Sequence, residues 1–366
     1  MVSAPERFKR VSGMKTEELL REFTGRKAAG VFSAYVPFEI YHSAGYHPVY
    51  LFTWGCDSGL AAEYLPGFCC FPGRNLVEHA LAGELSRLSC IVFSATCDTV
   101  QSIYDILKVI LPDIPVHYLK IPALLSREIA MEYLEAEIDQ LIRKSGNIEK
   151  ISLRRSISLY NEKRRLTARL NRIAWEITPT DYYAIIKAGM ILPVEEYNLT
   201  LSSFLREIEE LNKKVSPSSS IRLVIAGSHF GEENIFRIIE ESGMLVVGEF
   251  LDGLTLFRRG EVDEENEPLS ALARFIFNQV ATATKVNFCN RREDYLVDLV
   301  REGEADGVIL LRRKFCDPYG FDAVLLTTRL EEEGVPYLII EVDEPGYSGQ
   351  IKTRVEAFLE MLEIGR

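Results

Sequence analysis

The chain has 366 residues, 47% of them hydrophobic and 26% charged, with a formal net charge of −12. That length holds about two domains, the composition excludes a disordered or collagen-like chain, and the acidic balance argues against nucleic acid or an anionic membrane as the main partner of the surface. Seven cysteines, an odd number, stand at Cys56, Cys69, Cys70, Cys90, Cys97, Cys289 and Cys316. A chain this large needs no disulfide staples. No apolar run reaches the roughly 18–20 residues of a membrane helix, and the opening MVSAPERFKR carries charge with no apolar core behind it, so no signal peptide is expected. The expectation is a soluble cytoplasmic protein in a reducing compartment, whose cysteines fill the core, act as redox thiols or bind metal.

In chain order, residues 1–23 read as a helical lead, with a short polar helix over 16–23. Residues 24–125 read as a first α/β lobe, with apolar runs at 30–36, 48–54, 90–96 and 116–121. Runs of this length, rich in Val and Ile and separated by helix-period segments, predict strands buried on both faces of a parallel sheet. Residues 126–215 predict a helical middle. In EIAMEYLEAEIDQLIRKSG the residues Ala130, Leu134, Ile138 and Leu141 recur at helical spacing before a glycine stop. A basic helix over 156–177 and a third over 199–215 follow, the last running into SPSSS (216–220), the best linker candidate. Residues 216–366 then read as a second α/β lobe, with runs at 221–227, 244–250, 307–311 and 336–342.

The two lobes echo each other in SCIVFSATCD and VILLRRKFCD, each an apolar strand followed at once by Cys-Asp. Ligands of open parallel sheets sit beyond the C-terminal ends of the strands, so Cys97 and Cys316 stand where a cleft between lobes would bring them together. Cys70, in the loop LPGFCCFPGRN, could supply a third thiol. Cys90 opens an apolar run and reads as core, while Cys56 and Cys289 read as structural thiols of loops. Three thiolates from separated segments can hold a cuboidal iron–sulfur cluster and leave one iron open. There is no C-x-x-C pair, so compact ferredoxin and zinc-finger signatures are absent.

Other chemistry is poorly represented: no P-loop, no G-x-G-x-x-G after a strand, no G-x-S-x-G and no H-E-x-x-H. AGSHFGEEN, with Gly227 and Gly231, reads as an ordinary βα turn in preference to an anion site. His42 and His47 flank SAGY, and His79 reads as structural on a helix. The basic segment SLRRSISLYNEKRRLTARLNR reads as a solvated helix face in preference to a phosphate or CoA contact.

Several segments together resemble the 2-hydroxyacyl-CoA dehydratase and benzoyl-CoA reductase family, in its iron–sulfur subunit of the D-component type. VPFEIYHSAGYHPVYL resembles the family's P-x-E … A-G-x-x-P segment, and LPGFCC, SATCDTVQ and RKFCDPYG resemble its three cluster-cysteine segments. IIEVDEPGYSGQIKTRVEAFLEML is similar to its C-terminal signature, with Gly349, Gln350, Thr353, Arg354, Ala357, Phe358 and Glu360 in place. These segments follow the family's order from about residue 30 to residue 362.

The resemblance implies an α/β fold of two Rossmann-like parallel-sheet lobes facing across a cleft, with a helical middle segment. It implies one four-iron four-sulfur cluster held by Cys70, Cys97 and Cys316, with Cys69 as the alternative to Cys70. It also implies a related dehydratase subunit as partner, in a hetero- or homodimer, an ATP-dependent iron–sulfur activator protein, and an acyl-CoA substrate. One injected electron converts the thioester carbonyl of a 2-hydroxyacyl-CoA into a ketyl radical anion, which expels the hydroxyl. A branch of the family carries a double-cubane cluster with further cysteines. Here Val246-Val247-Gly248 is followed by EFLDG without one, which counts against that cofactor. The alternatives are a benzoyl-CoA-type CoA-ester reductase, a double-cubane small-molecule reductase, and a cluster-free scaffold or assembly protein.

Overall fold

Every one of the eight apolar runs contributes to a strand, and the helices fall between them. The computed structural model describes residues 2–23, 25, 27–52, 59–146, 148–211, 220–228, 233–252, 260–342 and 348–365. From the N-terminus, α1 (Glu6–Gly13) and α2 (Thr16–Glu22) lead into β1 (Lys27–Phe32), α3 (Phe38–Ser43), β2 (Tyr46–Tyr50), α4 (Phe71–Leu81), β3 (Leu88–Ser94), α5 (Asp98–Ile110) and β4 (Val116–Leu119). The middle holds α6 (Glu128–Ser145), α7 (Lys150–Arg172), α8 (Pro179–Ala188) and α9 (Val194–Glu210). The second lobe runs β5 (Arg222–Gly227), α10 (Asn234–Glu241), β6 (Leu245–Leu251), α11 (Pro268–Phe277), α12 (Arg292–Glu302), β7 (Gly307–Arg313), α13 (Asp317–Glu332), β8 (Tyr337–Val342) and α14 (Ser348–Gly365).

Both sheets are parallel and share one strand order, β2-β1-β3-β4 and β6-β5-β7-β8. The order reverses between β1 and β3 and again between β5 and β7, and such a reversal leaves a crevice at the strands' C-terminal ends. Strand burial is nearly continuous, as unbroken apolar runs require: all seven residues of β6 are buried, and all but the first of β1. On one side of the first sheet, Leu76 and Val77 of α4 and Ile103 and Leu107 of α5 pack on Ile91 and Phe93. In the second lobe Leu296 of α12 and Leu326 and Leu330 of α13 do the same on Val224, Val308 and Leu310. A larger core runs through the middle helices and reaches both sheets. The lobes are also pinned directly: Leu125 N donates to Val286 O at 2.8 Å, and Val286 N to Ala123 O at 2.7 Å.

Several expectations shift. The strand expected at 30–36 is β1 and stops at Phe32, because Ser33 (φ 134°) and Tyr35 (φ 72°) leave the extended region. Within the helical lead α1 was not placed individually, and α3 and α8 were not legible. In α8 every residue from Tyr182 to Ala188 is buried, which erases the amphipathic period, although Thr178 caps it by accepting from Asp181 N and Pro179 occupies its first turn. The basic helix begins earlier, at Lys150, and is not simply a solvated face. Lys163 and Arg164 are buried. The Lys163 ammonium donates to Gly189 O within 6 Å of the ring centroids of Phe38, Tyr160 and Tyr197, and Arg164 donates to the buried Glu39 carboxylate. Arg165 and Arg169 do lie at the surface, where they pair with Glu261 and Glu209. The linker candidate falls, apart from Ser220, outside the described residues, as does Cys56. Among the described residues no helix is long and apolar enough to cross a membrane.

Candidate functional site

Three of the cysteines singled out from sequence each stand at the N-cap of a helix: Cys70 before α4, Cys97 before α5 and Cys316 before α13. The local sequence explains each start. Pro72 and Pro318 occupy first turns, where a missing N–H costs nothing, and Cys97 is extended before Asp98 opens α5. Gly73 sets the approach of two of them. A Cβ there would lie 2.8 Å from Thr99 Cγ2 and 3.0 Å from Ile103 Cδ1, so its absence lets the first turn of α4 pack on α5.

Cys70, Cys97 and Cys316 line one cavity of about 140 Å³. The cavity opens at the reversal point of both sheets: Ser33 and Ala34 beyond β1, Thr96 beyond β3, Ser228 beyond β5 and Arg313 ending β7 are all on its wall. Three helix N-termini therefore face the thiols and favour negative charge at them. The strongest departures from ordinary backbone lie here too. Of the non-glycine residues with positive φ among those described, Ser33, Tyr35 and Phe315 flank the cavity, and only Glu304 lies elsewhere. Ser33 is held by its neighbour across the sheet: Ser94 N donates to Ser33 Oγ at 2.7 Å, and Ser94 Oγ donates to Ala34 O.

Burial dominates the thiol acidities. It pushes Cys70 and Cys97 up, with the amide of Gly73 acting the other way at Cys70 and those of Val100 and Thr99 at Cys97. Cys316 is pushed up to about 12, first by burial and then by the neighbouring Cys70. Cys316 feels both of the other cavity cysteines and Cys70 feels Cys97, as groups sharing one low-dielectric space do. Metal binding must displace these protons.

Cys69 and Cys70 lie in different environments. Cys70 faces the cavity, whereas Cys69 is 9% exposed and packs in the first lobe's core, its carbonyl accepting from Arg74 Nε at 3.1 Å. Cys90 is buried in β3 as core. Cys289 is exposed on a turn, its amide donating to Asn287 Oδ1, and fills no core. The three histidines singled out from sequence stand apart from the cavity: His42 lies between Ser156 and Glu195, His47 packs on Phe23, and the buried His79 pairs with Glu84 at 2.5 Å.

Sequence reasoning missed the polar side chains behind the thiols. Arg292, buried at the start of α12, donates from Nε and Nη2 to both oxygens of Asp322 at 2.9–3.0 Å and from Nη1 to Ala281 O at 2.6 Å. Its guanidinium lies 4.5 Å from the Phe250 ring centroid and 5.8 Å from that of Tyr319, a cavity residue. Desolvation works against its charge, but Asp322 outweighs it and holds Arg292 ionised. Asp252, just past β6, also lines the cavity, and its position at a strand's C-terminal end was the one available signal. Tyr35 joins the lobes by donating to Thr282 Oγ1 and accepting from Thr282 N at 2.7 Å. Gly227 carries φ 118°, and a Cβ there would sit 2.1 Å from Leu311 O. Gly231, the second glycine of that turn, lies outside the described residues. The C-terminal signature packs the fold: Phe358 closes on Gly307, and Arg354 donates to Ile339 O at 2.7 Å.

Fold and site thus define a class, two parallel α/β lobes with cysteines converging at a shared crevice. The family profile described as 2-hydroxyglutaryl-CoA dehydratase, D-component, matches residues 33–362, and the chain belongs to that family. It is 29% identical to the (R)-phenyllactyl-CoA dehydratase beta subunit of Clostridium sporogenes, over 93% of each chain. It is 28% identical to a benzoyl-CoA reductase subunit of Thauera aromatica, over 93% of this chain and 92% of that one. With the (R)-2-hydroxyglutaryl-CoA dehydratase subunit beta of Acidaminococcus fermentans it shares 26% identity over 98% of each.

Proposed function

We propose that the protein is the iron–sulfur subunit of a 2-hydroxyacyl-CoA dehydratase, with Cys70, Cys97 and Cys316 holding one four-iron four-sulfur cluster. The observation that carries this reading is the lining of one cavity by these three cysteines, drawn from both lobes. The donor set suits the group: soft sulfurs on separate segments, first-turn amides of Gly73, Thr99, Val100 and Tyr319 turned toward them, and a buried arginine on the same wall. Such a cluster supplies one-electron transfer and an iron corner that acts as Lewis acid.

The chain's own part is positional. Helices α4, α5 and α13 present the thiols, Arg292 and Asp322 lock α13 to α12, and the Tyr35–Thr282 contact fixes one lobe on the other. The walls are mainly apolar, with Phe32, Leu51 and Val100 limiting water. Loss of water from a 2-hydroxyacyl-CoA is redox-neutral, so the electron that activates the thioester is recovered when product forms. A related subunit as partner, an ATP-dependent iron–sulfur activator and an acyl-CoA substrate complete the reading. The relatives named as subunits support the partner, as do the exposed Phe68 and Phe315, adjoining Cys69 and Cys316, and Phe321, Val324 and Leu325 on α13.

The test is iron and acid-labile sulfide quantitation on anaerobically purified protein, with its visible spectrum. About four of each per chain is expected. A colourless protein with freely alkylatable Cys70, Cys97 and Cys316 overturns the reading in favour of a cluster-free scaffold, and about eight iron per chain favours a double cubane. The benzoyl-CoA reductase relative supports a second reading, a CoA-ester reductase. Electron stoichiometry separates the two: a dehydratase turns over many times per electron, and a reductase consumes two for each product.

A further inference from the structure

Besides its thiols the cavity carries two side chains of opposite formal charge, Arg313 and Asp252. Arg313 ends β7 and is 4% exposed. Its guanidinium carbon lies 5.7 Å from the ring centroid of Phe71, the residue after Cys70, so it reaches from the second lobe to the first lobe's thiol segment. Asp252 follows β6 on the other side of β5 and lies on the same wall as Cys316 and Tyr319. The acidities agree with that placement: Arg313 draws Cys70 down, and Asp252 adds to the upward push on Cys316 and Tyr319.

A cluster held by thiolates gains one further negative charge on reduction. A fixed cation at its edge stabilises the reduced form and a fixed anion opposes it, with little screening in a buried site. We propose that Arg313 and Asp252 set the reduction potential of the cluster at Cys70, Cys97 and Cys316 in opposite directions, Arg313 raising it and Asp252 lowering it. The inference rests on the cluster reading above and adds the residues that govern it. Its consequence is an uneven field, positive toward Cys70 and negative toward Cys316, in which Asp252 keeps the electron readily given up.

The experiment is an anaerobic redox titration of the whole chain followed by electron paramagnetic resonance, with iron and sulfide counted in every variant. Asp252→Asn removes the charge at constant shape, Arg313→Met removes the cation, and Arg313→Lys retains it. At a fixed poise, D252N is expected to raise the ratio of reduced to oxidised cluster about tenfold, a midpoint shift of about 59 mV for one electron. R313M is expected to lower the ratio by a similar factor, and R313K to stay close to the unsubstituted protein. Full iron content with D252N unmoved or lowered, or with D252N and R313M moving together, overturns the inference and leaves the cluster reading intact. If R313M loses iron, the sign of the D252N shift decides alone. An unsubstituted chain that holds no iron and sulfide overturns both.

Discussion

The two lobes have one frame and unlike contents. Each has a parallel sheet of the same strand order and a helix of 11 residues before its third-placed strand, α4 before β3 and α12 before β7. In each, a cysteine caps the helix that follows, Cys97 before α5 and Cys316 before α13. The difference lies at the start of the preceding helix. Cys70 caps α4, whereas Arg291 caps α12 and the next residue, Arg292, is buried against Asp322. The first lobe therefore supplies two thiols, and the second supplies one thiol and an ion pair that fixes its helix. The turn after the first central strand differs too. Both lobes leave that strand with positive φ, at Ser33 in one and Gly227 in the other. Ser33 is held by a hydrogen bond from Ser94 N, and Gly227 is required by the closeness of Leu311 O.

The largest expected effect breaks the site itself. Cys70→Ser, Cys97→Ser and Cys316→Ser are each expected to lose most bound iron and sulfide, while Cys69→Ser keeps the full complement. The opposite result for the adjacent pair would reassign the first lobe's ligand. Next comes the second lobe's ion pair. Asp322→Ala strands a buried guanidinium and is expected to cost about 3–5 kcal/mol in denaturant unfolding, and to speed alkylation of Cys316 in metal-free protein more than that of Cys97.

The two turns sharpen the contrast. Gly227→Ala, with a clash and a positive φ, is expected to cost about 2 kcal/mol or more. Ser33→Ala, which removes the buried hydroxyl that accepts from Ser94 N and contacts Ser94 Oγ, is expected to cost about 1–2 kcal/mol. Thermal denaturation ranks the pair, and a larger loss for S33A would sink the account. The smallest effect concerns acidity. Cys316 sits near 12 in the folded chain, against about 8.5 in an unfolded one. Its protonated form is favoured by folding, so that contribution is present below about pH 8.5 and lost as pH rises toward 12. In metal-free protein at pH 8, mass spectrometry should find the exposed Cys289 alkylated well before Cys316. The Cys316 rate should rise about tenfold per pH unit as its thiolate appears.

Much of the frame was legible because buried parallel strands leave unbroken apolar runs. Those around Cys90, Ile225 and Leu310 fall in β3, β5 and β7. The residues at the ends of such strands were legible for the same reason, which is why Cys97 and Cys316 could be placed from pattern alone. Helices buried all round, such as α8, lose the period that marks a helix, and α3 is too short to show one. Arg292 and Asp322 are thirty positions apart, with nothing in either neighbourhood to mark a partner. Asp252 was not singled out, since only its place just past a strand marks it.

Two parallel α/β lobes, a family and thiols at the ends of strands could all be read along the chain, because strand period and local motifs are written in adjacent residues. Which thiols meet depends on how distant segments pack. Cys69 and Cys70 are indistinguishable by pattern, and one turns into the core while the other faces the cavity because the first turn of α4 docks on α5 at Gly73. The charges around the cavity depend on that packing as well, since Arg313, Asp252 and the Arg292–Asp322 pair act through space in a medium that screens them little.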